Sequence, residues 1–460
     1  MISASNAAIS GPINILSASR INNTAAGILT FQTGAFTNTN GITFGITSTG
    51  NITVNSIING AGSFNKDGSG TGALILNAVN TYTGVTNINA GFLNIQNASA
   101  LGGFATGQGT IISTGATLQT QAGSSITVIS FDAEPISVLG TGVSSYGAIR
   151  NMVGRNTING NIILTGNTYL NADADSLVIA GDIDNGGFEL NVGGFYPTAS
   201  IGGAIRIGGA ISGAGTLVKS AVTSNYSTLI LNGNNTYTGA TTISGGIINV
   251  RHANALGGTG TGTSISSGGA LELQDGVGIT LAAEPISISS TGSGLSATTG
   301  GIRNITGDNS ITGTVTSAAA SRINTDLGSL TLNNAGALVL NASTTIGGVN
   351  NTSITGKVSG TNASFSITKD GNGTLTLSGT NNDYLGQTLV SAGIVKVNNA
   401  NSLGSTSSVS NNTVVSGTGT ILIDSTGITL AEPFTLSSGT GYSSNGAIRN
   451  LGKQTTLSGA

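Results

Sequence analysis

The stretch Lys66-Asp67-Gly68-Ser69-Gly70-Thr71-Gly72-Ala73-Leu74-Ile75-Leu76-Asn77-Ala78-Val79-Asn80-Thr81-Tyr82-Thr83-Gly84-Val85-Thr86-Asn87-Ile88 decides the fold. Short apolar runs such as Leu74-Ile75-Leu76 are broken every few residues by Gly, Asn, Ser and Thr, which favour strands and turns over helices. Ile88 with Leu93 and Ile95, Leu229-Ile230-Leu231, Ile247-Ile248-Asn249-Val250 and Leu375-Thr376-Leu377 read the same way. Nowhere does an apolar set recur at i, i+3, i+4 and i+7 between Glu and Lys, as an amphipathic helix requires. The chain reads as all-β.

Working outward, the stretch has copies. Asn80-Thr81-Tyr82-Thr83-Gly84 returns as Asn235-Thr236-Tyr237-Thr238-Gly239 and, altered, as Asn382-Asp383-Tyr384-Leu385-Gly386. Ala133-Glu134-Pro135-Ile136-Ser137 returns around Glu284 and Glu432, each before Pro. Gly147-Ala148-Ile149-Arg150-Asn151 returns around Arg303 and Arg449, and Ser19-Arg20-Ile21-Asn22 as Ser321-Arg322-Ile323-Asn324. The markers keep their order and step by about 150 residues, so one continuous solenoid of three repeats is expected, at about 1–156, 157–310 and 311–460. Thr456-Leu457-Ser458-Gly459-Ala460 stands at the repeat phase of Ala8-Ile9-Ser10-Gly11-Pro12, the pattern of a segment of a longer array.

A shorter period lies inside each repeat. Leu76, Ile95, Leu118, Ile136, Ile158 and Leu177 step by about 20 residues, the range of a solenoid coil. That spacing predicts roughly 20–24 coils and, at about 4.8 Å per coil, a rod on the order of 100 Å. The apolar residues are mostly Ile, Val, Leu and Ala with 4% aromatic, which suits a narrow core better than a sandwich interior. Asn59-Gly60, Asp67-Gly68, Asn185-Gly186 and Asp370-Gly371 supply corner conformations, and Asn94, Asn249 and Asn398 are candidates for amide ladders between coils.

Composition excludes several classes. Charged residues are 7% of 460, against roughly 25% in an average soluble domain, and the net charge is −3, so the basic footprint of nucleic-acid binding is missing. With no Cys, disulfide scaffolds and thiolate metal sites are excluded. The 74 glycines do not fall at every third position, which excludes collagen. No apolar run nears the ~20 residues of a membrane helix, and no charged-then-apolar leader follows Met1.

The segment from Lys66 to Gly70, Leu74-Ile75-Leu76, Asn80 to Ile88, Ala90-Gly91-Phe92-Leu93 and Ala100-Leu101-Gly102 resembles the autotransporter-associated β-strand repeat, also called the passenger-associated transport repeat. The copy from Lys369 through Leu403-Gly404 is equally close. The middle copy keeps Leu229 through Gly257 but departs upstream, where Ser220-Ala221-Val222 follows Lys219. The resemblance implies a right-handed parallel β-helix in a secreted bacterial surface protein, with an outer-membrane barrel expected outside this segment.

Glycoside hydrolysis needs two carboxyls about 5–10 Å apart. Each repeat offers one recurring acid, Glu134, Glu284 or Glu432, and the pairing expected is a bridge to Arg150, Arg303 or Arg449 one coil on. Asn171, Asp173, Asp175 and Asp182 have a calcium-loop-like spacing but Ser176 replaces the needed Gly, so solvated corners are expected. His252 stands alone, and the Gly257–Gly262 string opens no helix. Tyr82, Tyr237 and Tyr384 invite a sugar-stacking reading but sit in a structural motif, where ring packing at a corner is expected. No catalytic, cofactor or metal residue is assigned; Asn80, Gly84, Asn235, Gly239 and Gly386 are read with these tyrosines as the repeat framework. The expected function is a secreted structural or adhesive stalk at the bacterial cell surface, touching a host surface or polysaccharide and associating end to end. The alternatives are a carbohydrate-active β-helix enzyme and a filament subunit.

Overall fold

The computed structural model describes residues 6–103, 108–122, 128–194, 203–220, 227–293, 300–334, 336–406, 412–451 and 454–459. The chain divides into two compact units, Met1–Gly239 and Ala240–Ala460. Each is a parallel β-solenoid, interrupted among the described residues only by 3-10 turns at Val143–Ser145 and Tyr442–Ser444.

One coil shows the construction. Strands Ala73–Leu76, Thr81–Tyr82 and Thr86–Ile88 form three sides, and Gly91–Ile95 returns onto the first, pairing Leu74 with Leu93. Gly and Asn make the corners, so the chain turns without a helix. Because stacking is parallel and in register, residues of one side repeat their orientation from coil to coil. Ile52, Leu74, Leu93, Leu118, Ile149 and Leu170 thus form one fully buried column. Burying each such side chain contributes about 1.5–3 kcal/mol.

Coils are longer and fewer than the sequence steps suggest. Leu74 and Leu93 are close in sequence, but Leu118 lies on Ile149, 31 residues later. One side is ten strands deep in the first unit, from Ala7–Ser10 to Leu217–Lys219. One side is nine deep in the second, from Gly246–Val250 to Phe434–Leu436. The 20–24 coils read from the sequence are therefore corrected to about 18. The apolar landmarks had slipped between sides: Leu76, Ile95 and Leu118 share one, Ile136 lies on a second with Thr110 and Ile162, and Ile158 and Leu177 on a third. Moving to a different side shortened the apparent step.

The repeat is not a whole number of coils. In the first unit Leu74–Leu76 stacks in the column that ends at Lys219, whereas its copy Leu229–Leu231 stacks on Ile205–Ile207 and Leu177–Ile179. In the second unit Thr241, Thr263 and Ile286 share one column, while the corresponding Thr388, Thr413 and Phe434 share another. Counting strands gives about six and one-third three-sided coils per repeat. Within each unit, successive copies of the motif therefore sit one side apart.

Candidate functional site

The motif Asn-x-Tyr-x-Gly fastens one coil to its neighbours. Asn80 accepts the Ile58 N–H at 2.9 Å through Oδ1 and donates through Nδ2 to the Ala100 carbonyl at 2.6 Å, reaching the coils before and after its own. Asn382 does the same with the Val358 N–H at 2.8 Å and the Ser402 carbonyl at 3.0 Å, and Asn235 accepts the Ile211 N–H at 2.8 Å. Tyr82, Tyr237 and Tyr384 are fully buried, so stacking on a sugar is overturned as their role. The hydroxyl of Tyr82 meets Thr86 Oγ1 at 2.6 Å and that of Tyr384 meets Thr388 Oγ1 at 2.7 Å. The Tyr82 ring stacks on Phe64, which closes a cluster with Phe44, Phe36 and Phe31.

Gly84, Gly239 and Gly386 let the next wall approach. A Cβ at these positions would run into the carbonyls of Gly62, Gly215 and Phe365. Gly386→Ala is expected to destabilise the second unit by about 1–3 kcal/mol through forced separation of coils, read as a lower midpoint in urea. An unchanged midpoint would show that the wall yields freely.

Three lysines carry a role that sequence reading missed. Lys66, Lys219 and Lys369 are buried and point inward where neighbouring coils place Ile, Val or Phe. Lys66 Nζ donates to the carbonyls of Asp67 (2.6 Å), Gly68 (3.2 Å) and Ala90 (2.9 Å). Lys369 Nζ repeats this with Asp370 (2.5 Å), Gly371 (2.8 Å) and Ala392 (3.3 Å). Lys219 Nζ donates to the Ser220 carbonyl at 2.8 Å and Ser227 Oγ at 2.6 Å. Burial pushes Lys66 and Lys369 down to about 8 and Lys219 down to about 7. Gly91 and Gly393, at φ +72° and +69°, roof the ammonium groups; a Cβ there would stand 2.8 and 2.7 Å from Nζ. The signal was present: each Lys follows an inward Phe64, Leu217 or Ile367 by two residues, the period of one strand face.

Above two of these lysines lies an ion pair that spans two coils. Arg20 reaches Asp67 at 2.7 Å and Arg322 reaches Asp370 at 2.7 Å. The intervening residues are Gly45 and Gly347, where any Cβ would meet the guanidinium. The middle repeat replaces the whole device: Tyr169 covers Gly193, and Ser220 stands where the aspartates do.

The expected bridges between the recurrent glutamates and arginines are corrected. Arg150 pairs with Asp173, its Nε at 2.8 Å, and lies 4.4 Å from the Tyr146 ring centroid. Arg303 pairs with Asp326 (2.5 Å) and Glu272 (3.2 Å), and Arg449 is exposed. Glu134, Glu284 and Glu432 instead accept from Thr110 (2.6 Å), Thr263 (2.8 Å) and Thr413 (2.9 Å). Strand alternation explains the failure. Glu134 shares the inward phase of Ile136, whereas Arg150 points outward between buried Ile149 and Asn151, so the two stand on opposite faces of the wall. Burial raises these carboxyls, Glu134 and Glu432 to about 7, with Glu284 shifted in the same direction.

The remaining candidates hold structure. Asp173 is engaged by Arg150 and Asn171, Asp175 accepts the Gly154 N–H, and Asp182 accepts the Ala210 N–H from another side of the coil. His252 Nδ1 accepts the Asn254 N–H at 3.1 Å. Amide ladders form at Asn94, which donates to Gln119 and Gln121, and at Asn249, which donates to Glu272 and Gln274. Asn398 joins none; its Oδ1 is buried without a hydrogen bond. A shallow groove on the second unit is lined by Thr261, Thr263, Ser264, Pro285 and Thr316, hydroxyls and a prolyl ring.

The passenger-associated-transport-repeat profile matches residues 69–95, 224–250 and 367–397, which are the three copies containing Tyr82, Tyr237 and, in its third segment, Tyr384. Comparison with curated proteins and with solved structures finds no match. The chain carries a passenger-type repeat on a β-solenoid.

Proposed function

We propose that this chain is a secreted structural and adhesive segment of a bacterial cell-surface protein, a β-helical stalk that spaces or attaches. One observation carries the reading: Asn80 and Tyr82, with their counterparts, are buried and engaged in joining coils, and Gly84 and its counterparts lie against the next wall, so the part of the sequence that recurs serves the stack itself. What faces outward is a sparse set of charges among Thr, Ser and Asn columns. The passenger-type repeat supports export to the surface, where coil-by-coil stacking needs only nearest-neighbour contacts. Contact with a host surface or polysaccharide, and end-to-end association of copies, belong to the same proposal.

The test is to apply the labelled chain to host-cell monolayers and immobilised polysaccharides, and to follow the polysaccharide for new reducing ends. Retention without cleavage supports the stalk. Cleavage that disappears in Glu134→Gln, Glu284→Gln or Glu432→Gln would replace it with the carbohydrate-active reading. Sedimentation over a range of concentrations tests self-association, and a monomer throughout would remove that part.

A further inference from the structure

We propose that folding of this solenoid takes up protons at Glu134, Glu284 and Glu432, so that mild acid tightens the coils around them and neutral solution loosens them. The three carboxyls occupy one site repeated in all three copies, next to Pro and facing the core, with exposures of 4%, 2% and 3%. Each receives one hydrogen bond, from a threonine hydroxyl. The second oxygen of Glu284 and of Glu432 is buried with no hydrogen bond. Among the described residues, the charged or titratable groups that act on them are Asp132 and the Tyr82 phenol at Glu134 and the Tyr384 phenol at Glu432, and none of these is a cation. A carboxylate in that setting has lost its hydration and gained one hydroxyl, which favours the neutral acid.

The wall also prevents easy relief. Gly160, Gly313 and Gly459 lie against the backbone carbonyls of the three glutamates, where any side chain would collide. The corner segment bearing each Glu is thus held against the following coil rather than free to swing its carboxyl into water.

The sign follows from linkage. Because burial raises the folded carboxyl to about 7 at Glu134 and Glu432 from an ordinary 4.5, their stabilisation is fully present below 4.5 and is lost as pH rises through about 7. Glu284 contributes in the same direction. The buried lysines act in a higher window: depressed to about 8, 7 and 8, their contribution is fully present above 10.5 and is lost as pH falls through those values. The two sets leave the fold weakest near neutrality. Asp67, held low beside Arg20, opposes the glutamates only in stronger acid.

The experiment is thermal and urea unfolding of the full chain between about pH 5 and about pH 7.5, beside the triple variant Glu134→Gln, Glu284→Gln, Glu432→Gln. The folded-to-unfolded ratio of the wild-type chain is expected to rise on acidification, by up to about tenfold per pH unit for each carboxyl, and the triple variant to lose most of that slope. A wild-type chain no more stable at the lower pH, or a triple variant that keeps the slope, overturns the proposal. Should the variant fail to fold, carbon-13 labelling of the glutamates in the wild-type chain decides. The chain has only Glu134, Glu189, Glu272, Glu284 and Glu432. Two of these signals, those of Glu134 and Glu432, are expected to titrate near neutrality and that of Glu284 above the ordinary carboxylate range; all of them titrating in the ordinary range would overturn it.

Discussion

Tyr384→Ala is expected to lower the stability of the second unit by about 3–5 kcal/mol. The ring is fully buried, and its removal leaves a cavity that backbone coils, pinned by their ladders, cannot close. Thr388 Oγ1 also loses its 2.7 Å partner inside the core. Tyr384→Phe separates the two contributions, because it keeps the packing and removes only the hydrogen bond, at a cost of about 1 kcal/mol. Since each coil contacts only its neighbours, the damage is expected to weaken the coupling across this coil and broaden or split the urea transition. Circular dichroism and limited proteolysis read both outcomes. A sharp transition at the wild-type midpoint would show that the ring is not what ties this coil to the stack.

Asn382→Leu is expected to cost about 2–5 kcal/mol, although its side chain has the same branched heavy-atom skeleton as the one it replaces. The substitution strands two buried backbone groups at once, the Val358 N–H and the Ser402 carbonyl, each worth about 1–3 kcal/mol when left unsatisfied. Asn382→Asp is a sharper probe. It keeps an acceptor for Val358 but turns a second acceptor toward the Ser402 carbonyl and buries a charge, so it should be at least as damaging despite identical shape. Hydrogen exchange at Val358 gives the local readout. Protection of that amide should fall in the leucine variant and persist better in the aspartate one, and unchanged protection in Asn382→Leu would remove Asn382 as a clamp between coils.

The motif was legible because its spacing is rigid. Asn80, Tyr82 and Gly84 recur as a set, and recurrence of Gly within a set of buried residues marks a place where two backbones meet. The solenoid was likewise readable from short apolar runs, Gly and Asn corners and the repeat itself, while its parallel stacking followed from the family resemblance. The coil number was not, because apolar residues on different sides look alike in sequence and only register distinguishes Ile136 from Leu118. The partners of Arg150 and Arg303 were missed for a related reason. A separation of roughly one coil gives proximity along the stack, but the face of the strand decides whether two side chains can meet. The buried lysines were hidden by an expectation that charge lies outside, which holds until three carbonyls converge on the ammonium.

The sequence by itself determined that this protein is an all-β stack built from three copies, since periodicity and corner residues act locally and every coil repeats the same local rules. Only the tertiary structure decided which side each residue faces and which coil it meets. That information resides in register: a coil of 19 residues and one of 31 place the same type of side chain one level apart, and a repeat that ends a third of a coil late moves its motif to the next side. Register is set by the summed packing of all the strands in a column, which no single stretch of chain records.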